Sequence, residues 1–131
     1  TRGRENHRLN QHNLARVKFL AHDLFKSWGK LERNGPYDLI IVDPPTFQQG
    51  SFVLTRDYRK ILRRLPALLN SNAQALLCCN EPQLGADLLL AEVACTAPDL
   101  CFVKRIDNPP EFTDIDPAGG LKALVFNYCP S

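Results

Sequence analysis

The sequence has 131 residues, no methionine and one tryptophan, and its apolar runs are short. The longest are Leu39–Val42, Ala75–Cys79 and Leu88–Ala91. They fall far short of the roughly 20 apolar residues that a membrane-spanning helix needs, so no membrane partner is expected. There is no Cys-x-x-Cys pair, and none of His7, His12 and His22 has a partner at ligand spacing. The spacing therefore argues against a zinc ribbon, and no metal is expected. The cysteines, at 78, 79, 95, 101 and 129, are odd in number and two are adjacent. That argues against a secreted disulfide framework and for reduced thiols in a cytoplasmic protein; Cys95, Cys101 and Cys129 read as core residues. The stretch Thr1–Arg8 has no apolar segment, so no signal peptide is expected. With no initiator methionine, the chain is expected to start inside a longer protein. Repeats and low-complexity segments are lacking too.

Hydrophobic residues at 44% and charged residues at 23% are near the globular average. The length allows one domain, residues 1–131. The net charge of +2 conceals an asymmetry. Residues 1–70 carry 13 Lys/Arg against 6 Asp/Glu (+7), and residues 71–131 carry 3 against 8 (−5). A basic first half suits a polyanionic partner such as nucleic acid. It equally suits a solvated charged face.

The hydrophobic pattern predicts alternating helices and strands. Residues 5–14 read as the end of a helix. Arg16–Ala21 alternates polar and apolar, the period of a short strand. Leu24–Arg33 is a short amphipathic stretch closed by Asn34-Gly35-Pro36. Tyr37–Val42 is a nearly continuous apolar run, which predicts a strand buried on both faces of a parallel sheet. Residues 46–52 read as a loop. Residues 54–69 predict a helix with Leu54, Tyr58, Ile61, Leu62, Leu65 and Leu69 on one face and Arg56, Arg59, Lys60, Arg63 and Arg64 on the other. Asn70-Ser71-Asn72 reads as a turn, Ala73–Cys79 as a buried strand, and residues 83–97 as a helix. Leu100–Ile106 and Leu121–Tyr128 read as strands with a Pro/Gly-rich loop between them. The alternation predicts a doubly wound α/β sheet. The last two strands, with no helix between them, are predicted to pair antiparallel.

The sharpest feature is Asp43-Pro44-Pro45-Thr46-Phe47 directly after a buried strand. In open α/β sheets ligands bind beyond the carboxyl ends of the strands. A carboxylate followed by two prolines makes a stiff loop there, with carbonyls aimed outward and an aromatic ring beside them. Such a loop can hold a planar base or amine by hydrogen bonds and stacking, although Pro-Pro also serves simply to end a strand.

DLIIVDPPTF resembles motif IV of class I S-adenosylmethionine-dependent methyltransferases. DPPTF is more narrowly similar to the large-subunit rRNA methyltransferases that modify cytosine C5 or guanine N7. Arg4–Asn10, Phe19–Asp23, Pro109-Pro110-Glu111 and Gly119-Gly120-Leu121-Lys122 resemble further segments of that group, in order along the chain. The resemblance covers essentially the whole chain but lacks the family's glycine-rich first motif. It implies a Rossmann-like α/β sheet in the order third, second, first, fourth, fifth, seventh, sixth strand. This chain would retain the third to seventh strands and end in an antiparallel β-hairpin. The implied cofactor is S-adenosyl-L-methionine, the implied partner RNA, most narrowly rRNA, and the implied activity base methylation. With only part of the pocket, the chain is expected to be inactive alone. Tyr37–Val42 would become an exposed strand edge, open to homodimerisation or strand addition.

The resemblance implies site residues one by one. Asp43, Pro44, Pro45 and Phe47 would form the target-base platform, with Asp43 also near the cofactor. Asp23 would face the cofactor's adenine, though it equally suits a helix N-cap. Cys79 would be the nucleophile if the target is cytosine C5, because that carbon becomes reactive only after a thiolate adds to C6; otherwise it is a small buried hydrophobe. Cys78 would pack on the opposite face. Guanine N7 needs no thiol, only placement, with Asn80 available as a hydrogen-bonding partner. Arg56, Arg59, Lys60, Arg63 and Arg64 could grip RNA phosphates or form a solvated helix face. Two rival readings share these residues: a small-molecule or protein-amine methyltransferase, and a non-catalytic binding or dimerisation module of the same fold.

Overall fold

The computed structural model describes residues 2–48, 52–112, 116 and 119–130. Helix α1 (Arg2–Leu9) leads, through a 3-10 turn at Leu14–Arg16, into an extended segment. A second 3-10 turn (Leu24–Lys26) precedes α2 (Trp28–Asn34), and β1 (Tyr37–Val42) follows. The chain continues with β2 (Phe47–Gln48), β3 (Phe52–Val53), α3 (Leu54–Leu62), β4 (Leu69–Cys79), α4 (Ala86–Thr96), β5 (Leu100–Ile106) and β6 (Lys122–Tyr128). One sheet takes the order β1-β4-β6-β5, and β2 pairs with β3 in a separate small hairpin. The β1–β4 ladder is parallel. The β4–β6 and β5–β6 ladders are antiparallel, as the missing helix between the last two strands requires.

Burial divides the sheet into two faces. Val42, Ala75, Leu77, Cys79, Leu124 and Phe126 are buried against Tyr58, Ile61 and Leu62 of α3 and Leu89 and Val93 of α4, with Phe25 and Trp28 packed at the margin. On β1 the alternate residues Leu39 and Ile41 are 55% and 59% exposed. This corrects the expectation of a strand buried on both faces: β1 is covered on one side only and is the outer strand of the sheet.

Other boundaries move for local reasons. The expected strand at Arg16–Ala21 does not form a ladder. Residues 17–21 pair with no strand among the described residues, and Phe19 packs instead on α1, its ring 5.8 Å from that of His7. Gly3 makes that approach possible, since a Cβ there would run into the Phe19 ring. Lys18 Nζ ties the segment to Asn34 Oδ1 at 2.6 Å. The helix expected over 54–69 ends at Leu62 and re-forms as a 3-10 turn at Leu65–Ala67, because Pro66 cannot extend an α-helical ladder. The helix expected over 83–97 is confined to Ala86–Thr96. The turn expected at Asn70–Asn72 is a bulge inside β4. Tyr37 pairs with Leu69 but Leu39 with Gln74, which leaves three extra residues on β4. Asn72 sits there at φ 63, a left-handed conformation that Asn tolerates better than most residues. Cys95, Cys101 and Cys129, expected in the core, are exposed.

A bidentate ion pair braces α3 against α4. Arg59 of α3 donates to Glu92 of α4 from Nε at 2.6 Å and Nη2 at 2.8 Å, and Thr96 Oγ1 donates to the same carboxylate at 2.7 Å. The Arg59 guanidinium, helped by the Thr96 hydroxyl, lowers Glu92 from 4.5 to about 2. A carboxylate depressed on folding stabilises the fold above its unfolded value and loses that contribution as pH falls through the folded one. Urea unfolding should therefore show stability falling between about pH 4.5 and pH 2. Glu92→Gln should flatten the profile across that window and lower stability at neutral pH.

Candidate active site at the carboxyl edge of the sheet

Parallel pairing, with Val42 opposite Leu77, sends β1 and β4 out at the same edge. Asp43-Pro44-Pro45-Thr46 leaves β1 there, and Asn80-Glu81 leaves β4. Thr46 Oγ1 joins the two exits by donating to the Asn80 carbonyl at 3.0 Å. β6 enters at this edge as well, with Lys122 opposite Cys79. Lys122 is 0% exposed, and its Nζ donates to the Glu81 carbonyl at 2.6 Å. From α3, the Tyr58 hydroxyl donates to the Cys78 carbonyl at 3.1 Å. Burial first, then the negative potential of Cys79, Cys78 and Asp43, pushes this hydroxyl far above the ordinary phenol range. Tyr58 is thus a neutral donor that sits close to all three.

The structure distributes the expected site residues unevenly. Asp43 and Pro45 are exposed and Pro44 half-buried at the edge. Phe47 enters β2, and its side chain lies outside the described part of the structure. Cys79 is 1% exposed, on the face covered by helices. Cys78 is buried on the other face, and its thiol is pushed up by burial, by Asp43 and by Cys79. Asp23 caps the 3-10 turn at Leu24–Lys26, with Oδ1 accepting from Phe25 N at 2.9 Å. It borders a basic pocket with His22, Lys26 and Lys30 that Asp43 does not line.

The five cations of the α3 segment divide as well. Arg59 is committed to Glu92. Arg56 and Lys60 both reach the buried Asp57 at 2.8 Å. Lys60 lies over the Phe25 ring at 5.4 Å and Arg64 over Trp28 at 5.9 Å. With Arg63 these side chains rim a pocket of about 400 Å³ whose floor includes Phe25 and Trp28.

Two residues at this edge, Tyr58 and Lys122, are not among those expected from the sequence. Tyr58 reads as one apolar position among six on a helix face. Lys122 carried a usable signal, a lone cation at an inward position of an apolar strand.

A family model described as S-adenosylmethionine-dependent methyltransferase matches residues 1–127. The chain belongs to this family. Over 111 residues it is 32% identical to ribosomal RNA large subunit methyltransferase K/L of Shewanella woodyi, a match covering 80% of this chain and 14% of that protein. Over 93 residues it is 30% identical to the protein of the same name from Legionella pneumophila (strain Lens), covering 67% and 13%. The chain thus spans only 13–14% of the length of these relatives. The fold matches a crystal structure of a protein assigned as a methyltransferase and complexed with SAH, with TM-score 0.82 and 20% identity, over 94% of this chain and 34% of that one. A SAM-dependent methyltransferase assignment from Streptococcus mutans matches with TM-score 0.80, at the same identity and coverage.

The residues present fit one side of S-adenosylmethionine. The exposed Asp43 carboxylate, on a loop stiffened by two prolines, suits the cofactor's positive charge, and the adjoining carbonyls suit its polar hydrogens. Asp23 is engaged in its own cap and leaves less for a ligand.

The geometry yields two checks. Tyr58→Phe removes the donor to the Cys78 carbonyl and should lower unfolding free energy in urea by about 1 kcal/mol. Alkylation of the native chain should modify Cys95, Cys101 and Cys129 and spare Cys78 and Cys79 until denaturant is added.

Proposed function

We propose that this chain is the target-base half of an S-adenosylmethionine-dependent methyltransferase acting on ribosomal RNA, and that the attacking atom is a ring nitrogen, guanine N7. The observation that carries the choice of atom is the burial of Cys79, 1% exposed beneath the helical layer. A cytosine C5 mechanism needs a thiolate that can reach C6 of the base. Guanine N7 carries its own lone pair and needs only alignment and exclusion of water. The cofactor, when bound, supplies an electrophilic methyl on a sulfonium. Asp43 and the Pro44 carbonyl orient the base edge, Phe47 stacks on it, and Asp43 also faces the cofactor, while Asp23 serves as the cap of its own turn. A ring nitrogen would take that methyl without losing a proton, so this chain's residues would need to supply alignment and shielding rather than a base. The names of the rRNA methyltransferase relatives support the RNA substrate, as does the basic and aromatic surface of Arg56, Lys60, Arg63, Arg64, Phe25 and Trp28, which suits phosphates and an unstacked base. Arg59, held by Glu92, is a brace on this reading.

The test is methyl incorporation into rRNA by the longer natural protein, beside calorimetric titration of S-adenosylmethionine into that protein and into this chain. The longer protein should bind the cofactor and this chain alone should not. Asp43→Ala should reduce incorporation at least about 100-fold, the scale of a lost positioning or transition-state group, whereas Cys79→Ala should keep activity within a few-fold. Loss of all activity in Cys79→Ala with cofactor binding intact would move the reading to cytosine C5. Absence of cofactor binding in the longer protein would leave the binding-module reading in front.

The β1 edge supports a second proposal, that the isolated chain self-associates. Leu39 and Ile41 line an open groove of about 610 Å³ together with Arg16, Lys18 and Leu20, and an apolar strand edge invites pairing. Multi-angle light scattering should give a dimer; a stable monomer counts against it.

A further inference from the structure

The far end of the sheet holds a second cluster of reactive side chains, unconnected with the methyltransferase reading. Cys101 is the second residue of β5, and Cys129 follows the last residue of β6. In that ladder Leu100 pairs with Tyr128 and Cys101 with Asn127. The ladder runs one step further, with the Cys129 amide donating to the Asp99 carbonyl at 2.8 Å. Cys129 is therefore the diagonal neighbour of Cys101, two residues beyond its direct partner. Side chains two apart on a strand share a face, so the two thiols project from the same side of the β5–β6 ladder as diagonal neighbours. Both residues are exposed, and Cys101 lies close enough to push the Cys129 thiol up. The preceding Leu100 is buried toward the helices, so the thiols stand on the sheet's other face. They also stand at the opposite end of β6 from Lys122 and the Asp43 edge.

We propose that Cys101 and Cys129 are a reversible dithiol–disulfide site, oxidised by low-molecular-weight disulfides of the glutathione type. The Cys101 thiolate attacks one sulfur of the oxidant, forming a mixed disulfide and expelling one thiolate. The Cys129 sulfur then attacks Cys101 Sγ, breaking the mixed disulfide and expelling the second thiolate. The two thiol protons pass to the two released molecules, so the protein loses two electrons and two protons and the oxidant gains them. The order of attack follows from the raised Cys129 thiol, which its neighbour Cys101, with a smaller share from burial, holds in the protonated form. An exposed, solvent-facing pair is of the labile kind, open to oxidation and reduction. The bond would clamp the start of β5 to the end of β6 without touching the edge that carries Asp43.

The experiment equilibrates the chain with graded ratios of reduced to oxidised glutathione, quenches with an alkylating agent and maps the peptides by mass spectrometry. A peptide linking Cys101 to Cys129 within one chain is expected. The alkylatable exposed thiols should fall from three to at most one, with Cys95 on α4 unlinked, and dithiothreitol should restore them. Cys129→Ser should trap glutathione on Cys101 as a stable mixed disulfide. Separate glutathione adducts on Cys101 and Cys129 with no linked peptide would overturn the proposal. So would a link that joins two chains on a non-reducing gel, or one that enlists Cys95. The wild-type measurement decides the matter even if a variant folds poorly.

Discussion

Three backbone carbonyls at the exit of β4 hold the site together. The β6 ladder ends at Cys79, and the chain beyond must satisfy its polar groups elsewhere. The Cys78 carbonyl accepts from Tyr58 of α3, the Asn80 carbonyl from Thr46 of the loop after β1, and the Glu81 carbonyl from Lys122 of β6. Three elements distant in sequence are thus tied to four consecutive residues. Two of the donors, Tyr58 and Lys122, are buried, where an unsatisfied partner costs more than it would in water. The edge is rigid because its carbonyls are shared out among separate elements, and Asp43 and the prolines are presented from that rigid base.

The helix α3 carries a charge pattern that sequence alone cannot interpret. Five cations in nine residues look like one basic face, but three different constraints act on them. Glu92 fixes Arg59 against α4. Asp57, buried within the same helix, draws in Arg56 and Lys60. The rings of Phe25 and Trp28 underlie Lys60 and Arg64. A single buried aspartate thus gathers positive charge over an aromatic floor, combining the two chemistries that bind single-stranded nucleic acid. The apolar stripe that buries Tyr58, Ile61 and Leu62 sets which side of the helix this surface faces.

Strand positions were largely legible, because period and composition report burial directly. Tyr37–Val42 and Leu100–Ile106 form over the expected residues, and the antiparallel ending followed from the missing crossover helix. The misreadings share a cause. Arg16–Ala21 has the alternation of a strand, but a strand also needs a neighbour to bond with, and Phe19 finds its ring contact on α1 instead. Tyr37–Val42 is apolar on both sides, yet composition cannot tell which side is covered. Cys101 and Cys129 were assigned to the core because free cysteine is commonly buried, whereas their ladder positions face outward. The DPPTF segment leaves β1 at the carboxyl edge of the sheet, where the end of an apolar strand places it. Tyr58 and Lys122 act on backbone carbonyls; Tyr58 has the pattern of a core position, and only the lone cation in an apolar strand sets Lys122 apart.

The register of β1 on β4 explains why the irregular part of the sheet lies away from the site. A one-residue slip would exchange the faces of β1, turning Leu39 and Ile41 under the helices and Val42 out. It would also displace Thr46 from the Asn80 carbonyl. The structure keeps Leu39 to Val42 in unbroken step with Gln74 to Leu77 and places the three surplus residues of β4 at the other end, around Asn72. Asparagine takes the left-handed conformation at that bulge with little strain. The mismatch in strand length is thus absorbed far from Asp43, and the edge that presents the carboxylate and the two prolines inherits a regular ladder. Substitutions around the bulge and at Asp43 therefore act on different properties: the first on how β1 is held to the sheet, the second on what the edge can bind.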